Sequence, residues 1–279
     1  MCLIAFAIGE RRDYPLILLA NRDEFFQRPT APLQQWSQAP ELFGGRDQFA
    51  GGTWLALDRS GRFAAVTNFR QHPSAKATRS RGELVVNALT TDLPLVDFFQ
   101  QLSQHDQDYQ GYNLVVGDIL QQQVFYHNNS NGQTQKLPPG IYALSNGPLA
   151  TPWPKMNFWR ERLEHYVKAP QIDEQALLHL AQQQPPIAPE HLPDTGIGSK
   201  LEQTLAAPFI QPFTLNGQVY GTRSTALLIS QVSDNLVTTA FQEWQWPSVP
   251  NQAQTEPSRL PLEPTISPVA YQRIDVTHY

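Results

Sequence analysis

A chain of 279 residues with 41% hydrophobic and 10% aromatic side chains is long enough for one large or two small domains, and apolar enough to exclude a disordered protein. Its net charge of −5 leaves no broad basic footprint for nucleic acid, and its single cysteine excludes an internal disulfide framework and any multi-cysteine zinc or iron–sulfur site. Residues 3–9 follow no basic region and are closed at once by Glu10-Arg11-Arg12-Asp13, unlike a signal peptide, and no segment approaches the roughly 18 apolar residues of a membrane span, so the cytoplasm is the expected compartment.

In chain order, residues 3–8 and 15–20 are apolar runs around a polar turn, which predicts a hairpin buried on both faces. A second hairpin is expected from 53–57 and 62–68 around Asp58-Arg59-Ser60-Gly61. The spacing of Leu84, Val85, Ala88 and Leu89 predicts a helix over 82–91, and 95–102 reads as another after Pro94. Strands return at 112–117, 123–127 and 141–145, with the turn run Asn128-Asn129-Ser130-Asn131-Gly132 between them. Residues 155–167 and 173–183 read as helices, Asp173 being an N-cap for the second, and a Pro/Gln-rich connection follows over 182–193. The last strong strands are 224–230 and 236–241, joined at Ser233-Asp234-Asn235. From Pro247 to Pro268 six prolines forbid a central strand or an unbroken helix, so one domain over 1–246 and an extension over 247–279 are expected. Alternating blocks of strands and helices without strict βα order argue for α+β layers with largely antiparallel sheets.

Cys2 follows the initiator methionine directly. Removal of Met1 would give one residue both a thiol near pKa ~8.5 and an α-amine near ~7.7, a nucleophile with its own base. Taken alone, Cys2 also fits a small buried residue at the start of a strand. Asn21-Arg22-Asp23-Glu24 follows the apolar run 16–20, and antiparallel pairing of the first two strands would bring Asp23 near Cys2, with Arg22 balancing its charge. An exposed loop with an ordinary ion pair fits the tetrapeptide equally well. Asn68 and Asn146 each end a predicted strand, where a side-chain amide can donate to a developing oxyanion or make an ordinary turn. His72, His105, His127, His165, His179, His191 and His278 show no zinc-ligand spacing, and neither a Gly-x-Ser-x-Gly elbow nor a Walker lysine is present.

Taken together, Met1-Cys2, Asn21-Arg22-Asp23-Glu24, Gly51-Gly52-Thr53-Trp54-Leu55 and Val66-Thr67-Asn68-Phe69-Arg70 resemble the NRDE, or transport-and-Golgi-organisation protein 2, family. The same order continues through Ser80-Arg81-Gly82, Gly111-Tyr112-Asn113-Leu114, Leu144-Ser145-Asn146-Gly147 and Gly221-Thr222-Arg223-Ser224. The resemblance covers residues 1 to about 245. It implies an N-terminal nucleophile hydrolase architecture, a four-layer αββα sandwich close to bile-salt and penicillin-V acylases. By the same resemblance Cys2, Asp23, Asn68, Asn146 and Arg223 are the catalytic set, with Asn21, Arg22 and Glu24 in support. One departure is that the acylases carry an arginine three residues before the aspartate, where this chain has Ala20.

Two functions from different classes follow. The first is a cysteine amidohydrolase cleaving a linear amide or related acyl bond of a small molecule, without metal or cofactor. The second is a binding or transfer protein that holds haem or an acyl-lipid in the same cleft without turnover, which the family's links to haem and lipid handling permit. No nucleic-acid partner is expected under either.

Overall fold

The computed structural model describes residues 2–70, 77–149, 151–249 and 266–278. Met1, His72 and four of the six tail prolines (Pro250, Pro257, Pro261 and Pro264) lie outside the described residues. The first half of the chain builds strands β1 (Cys2–Ile8), β2 (Leu16–Phe25), β3 (Thr30–Gln35), β4 (Leu42–Asp47), β5 (Leu55–Asp58) and β6 (Arg62–Asn68), then helices α1 (Gly82–Thr90) and α2 (Leu95–Ser103). Next come β7 (Tyr112–Asp118), β8 (Gln123–Asn128), β9 (Gln133–Leu137) and β10 (Gly140–Leu144), followed by α3 (Pro154–Val167), α4 (Glu174–Gln182) and α5 (Ser199–Leu205). Strands β11 (Phe213–Leu215), β12 (Gln218–Ser233), β13 (Leu236–Gln245) and β14 (Ala270–His278) complete it.

Two antiparallel sheets result. One has the order β10-β1-β2-β12-β13-β14 with β11 attached to β12, and the other runs β3-β4-β5-β6-β7-β8-β9. The apolar alternation of β1 and β2 explains the layering, because successive side chains of a strand face opposite sides. Ile4, Phe6, Leu16 and Leu18 pack against Leu55, Leu57, Phe63 and Val115 of the second sheet. Leu3, Ala5, Ile17 and Leu19 pack outward against Trp159 and Leu163 of α3 and Leu177 of α4. On the far side, Ala64, Leu114 and Val116 meet Leu84 and Val85 of α1 and Phe98 and Phe99 of α2. Helices therefore cover the outer face of each sheet, giving the αββα sandwich.

The two expected hairpins form, with Ile8 opposite Leu16 and Leu57 opposite Phe63. Asp173 caps α4, its carboxylate accepting from the backbone N–H groups of Gln175 (2.9 Å) and Ala176 (3.0 Å). One difference bears on the site. Asn21-Arg22-Asp23-Glu24 is not a loop after the strand; β2 continues through it to Phe25, and its first three residues are buried. The strand persists because it is paired on both sides, with β1 through Arg22 and with β12 through Phe25. Within the stretch assigned to the extension, Ala270–His278 pairs along its length with β13 and forms the outer strand of the first sheet.

Candidate active site

The register of β1 on β2 sets the geometry. Cys2 lies directly opposite Arg22, and opposed residues of an antiparallel pair project to the same face. That face is the one shared with Ile4 and Ala20, between the two sheets. Pairing of β1 with β2 thus sets Arg22 directly opposite the thiol, with Asp23 one residue on and lining the same pocket. Cys2 and Arg22 are both 7% exposed. Burial pushes the thiol up, the Asp23 carboxylate pushes it further, and the Arg22 guanidinium opposes both.

Asp23, 1% exposed, joins Thr222 across the β2–β12 pair, and its Oδ1 accepts from the Thr222 hydroxyl at 2.7 Å. Its backbone carbonyl accepts from the Tyr220 hydroxyl (3.2 Å). Burial raises its carboxyl above the ordinary range, opposed by Lys155 and the Thr222 hydroxyl. Lys155, 2% exposed on α3, donates from Nζ to the carbonyl of Leu205 (3.0 Å). Burial pushes its ammonium down to about 8 against the attraction of Asp23. Arg70 pairs with buried Glu202 at 2.8 Å, and its backbone N–H donates to the Asn146 carbonyl (2.9 Å). Lys155 and Glu202 escape a motif-based reading, and Arg70 stands in the Val66–Arg70 motif with no role assigned to it there. One signal was present, since Lys155 stands four residues before buried Trp159 and so lies on the apolar stripe of α3.

The remaining expected residues fall into two groups. Asn68, half-buried at the end of β6, lines a pocket of about 440 Å³ together with Cys2, Arg22, Asp23 and Glu24. Asn146, Arg223 and Asn21 are held elsewhere. The Asn146 amide donates to the Asn68 carbonyl (2.9 Å), and Ser145 beside it donates to the Cys2 carbonyl (2.9 Å), so this pair ties the end of β10 to the thiol strand. Arg223 sits at a bulge of β12 and donates to the carbonyls of Phe25 (3.2 Å) and Arg28, holding the turn from β2 to β3. Burial lowers its guanidinium to about 10. Asn21 faces the helical layer, where its amide donates to the carbonyls of Ala181 and Pro208, both at 2.9 Å.

Glycines bring the far wall of the pocket close. A Cβ on Gly52 would lie 2.4 Å from the carbonyl carbon of Gly82 and 2.5 Å from its oxygen, and the Thr53 N–H donates to that oxygen (3.1 Å). Backbone cannot swing aside as a side chain can, so Gly52→Ala is expected to push the start of α1, with Ser80 and Arg81, off the pocket wall. The cost should be about 1–3 kcal/mol. Thermal melts check this, and a native melting temperature would refute it.

Among the described residues no histidine lines this pocket, no group of three or more His, Cys, Asp and Glu is placed to hold a metal, and no helix is long and apolar enough to cross a membrane. The haem alternative therefore finds no axial histidine in the described lining.

A family model described as Transport and Golgi organisation 2 matches residues 1–243. The Transport and Golgi organization protein 2 homolog of Homo sapiens is 37% identical over 172 residues, covering 58% of this chain and 62% of that protein. The chain thus spans less than two thirds of the length of this relative. Among solved structures, the mutant C2A conjugated bile acid hydrolase from Clostridium perfringens matches with a TM-score of 0.41 and 10% identity over 84% of this chain and 89% of that one. A Caenorhabditis elegans N-acylethanolamine-hydrolyzing acid amidase ortholog matches with a TM-score of 0.38 and 8% identity, over 65% and 86% respectively.

Proposed function

The chain belongs to the Transport and Golgi organisation 2 family, and from that premise we propose that its pocket is the active site of an N-terminal-cysteine amidohydrolase acting on a linear amide or a related acyl bond. The observation that carries this reading is the placement of the chain's only thiol. Cys2 lines a 440 Å³ pocket, faces a guanidinium across the strand pair, and has a buried carboxyl one residue further along the partner strand.

The chemistry starts once Met1 has been released. The Cys2 thiol gives its proton to its own α-amine, and the sulfur attacks the amide carbonyl. The Asn68 amide donates to the developing oxyanion; the Asn146 amide is already committed to the Asn68 carbonyl. The α-ammonium then protonates the leaving nitrogen as the C–N bond breaks, leaving a thioester and a free amine. Water, deprotonated by the same α-amine, attacks the thioester. Its collapse releases the acid and restores the thiol, so amide plus water gives acid plus amine. In this scheme Asp23 holds the α-ammonium, and Arg22 lowers the cost of the thiolate. Arg223 acts at a distance by fixing the β2–β3 turn. A cytoplasmic setting, with its reducing conditions, suits a free thiol and forms part of the same reading.

Intact mass of the natively expressed protein, before and after exposure to an activated acyl ester, tests it. The expected result is a chain starting at Cys2 that gains one acyl mass on the Cys2 peptide. Retention of Met1 would overturn the mechanism.

A further inference from the structure

The pocket carries more positive charge than its own carboxylates can use. Four arginines line it, Arg22, Arg28, Arg79 and Arg81. Two are already paired. Arg28 holds Asp47 through two N–H groups at 2.9 and 2.6 Å, and Arg79 holds Glu83 at 2.5 Å. The other two make no ion pair among the described residues. Arg22 donates to the Thr30 hydroxyl at 3.0 Å, and Arg81 donates to the Gly111 carbonyl at 3.1 Å. A guanidinium offers five N–H donors in a planar fork, and holding one out of water without a counter-charge is costly.

Of the carboxylates nearby, buried Glu243 attracts Arg22 and Glu24 attracts Arg81. Asp23 accepts from the Thr222 hydroxyl and is attracted by buried Lys155. Glu24 accepts from the Phe25 N–H at 2.8 Å, lines the pocket with Arg22 and Arg81, and makes no ion pair among the described residues. With Glu243 set against Arg22, the guanidinium left open to an anion is that of Arg81, which among the described residues donates to the Gly111 carbonyl and makes no ion pair. The rest of the wall mixes polar groups, Thr53, Asn68 and Ser80 among them, with an apolar strip of Trp54, Val66 and the exposed ring of Phe49.

Position divides the labour between the two arginines. Arg22 stands beside the thiol, so it acts where a carbonyl would react. Arg81 comes from the opposite wall, at the start of α1, and its contact with Gly111 fixes it there. We propose that the pocket takes a carboxylate-bearing amide, its carboxylate held in the guanidinium fork of Arg81, its carbonyl lying between Cys2 and Arg22, and its apolar acyl group along Trp54 and Val66. The amide part rests on the reading of the preceding subsection. The carboxylate part does not, since it follows from the arginines. Arg81 is then a specificity-determining residue, because a bidentate fork recognises a planar anion and gains little from a neutral isostere.

Isothermal titration of the full-length Cys2→Ala protein with three matched probes tests this without turnover. The probes are N-hexanoylglycine, the neutral N-hexanoylglycinamide and the cationic N-hexanoylethylenediamine. The carboxylate should bind at least about tenfold more tightly than the carboxamide, in line with a charge-assisted hydrogen-bonded pair. The advantage should shrink with added salt, vanish in Arg81→Met and be partly kept in Arg81→Lys. Equal binding of the three probes, no binding of any at their solubility limits, tighter binding of the cation, or an advantage undiminished in Arg81→Met would overturn the proposal. The hydrolase reading fails separately. A carboxylate preference in a protein whose Cys2 is never acylated supports the anion site and removes the hydrolase. Turnover of neutral amides with no carboxylate preference does the reverse.

Discussion

Replacing Cys2 by alanine is expected to lower hydrolysis of a chromogenic linear amide by at least about a thousandfold, because the proposed mechanism forms its acyl intermediate on that sulfur and without it retains only binding and a single oxyanion donor. The fold should survive. Cys2 is the first residue of β1 and lies at a pocket wall, while its strand is held by register pairs to β2 and β10 and by the Ser145 bond to its carbonyl, none of which uses the sulfur. Loss of one small buried side-chain atom should cost about 1 kcal/mol. Circular dichroism and a thermal melt alongside the rate separate the two effects. Activity that persists in Cys2→Ala with a native melt would remove the thiol from the chemistry.

Lys155 is expected to give the largest pH-linked stability effect. Its ammonium is lowered from an ordinary 10.5 to about 8 inside the protein, chiefly by burial. In the unfolded chain it keeps its proton up to the ordinary value, so between about 8 and 10.5 the unfolded state binds more protons than the native one. Stability from this group therefore rises with pH through that window, by about 3 kcal/mol over the 2.5-unit shift, and its full cost is present below it. Lys155→Met removes the dependence. Relative to the parent, the variant should be about 3 kcal/mol better at pH 7 than above 10.5. Urea unfolding of both proteins across that range measures it, and a pH-independent difference would refute the burial of a charged amine there. The groups that set the shift around Lys155 are Asp23 and Glu202, which favour the charge, and Arg70, which opposes it. Asp23 would lose its buried cation in the same variant, so the acid limb of the activity profile should move to higher pH.

Much of the fold was legible because it repeats local rules. The unbroken apolarity of 3–8 and 16–20 marked strands buried on both faces, and Asp58 to Gly61 marked a turn with the chemistry to close it. There the Asp58 carboxylate accepts from the Ser60 hydroxyl and the Arg62 N–H, both at 2.8 Å, and Gly61 takes φ +90°. Strands β3, β4 and β9 were not legible. Their sequences are polar or mixed, with β9 largely exposed, and they exist because a neighbouring strand offers backbone partners. The same holds for β14, whose pairing with β13 lies thirty residues or so beyond it in the chain.

By itself the sequence determined the layered α+β architecture and the two opening hairpins, and it offered Cys2, Arg22, Asp23, Glu24 and Asn68 as candidates for chemistry. Only the tertiary structure decided which of these meet in one pocket. The strand pairing sets Arg22 directly opposite the thiol and Asp23 opposite Thr222, which depends on the register and not on distance along the chain. It also committed Asn146 and Arg223 to backbone carbonyls, and from distant segments it brought Arg81 to the pocket and Lys155 and Arg70 to the surroundings of Asp23. Residue type and local pattern fix what a side chain can do; long-range pairing and burial fix whom it meets and in which charge state.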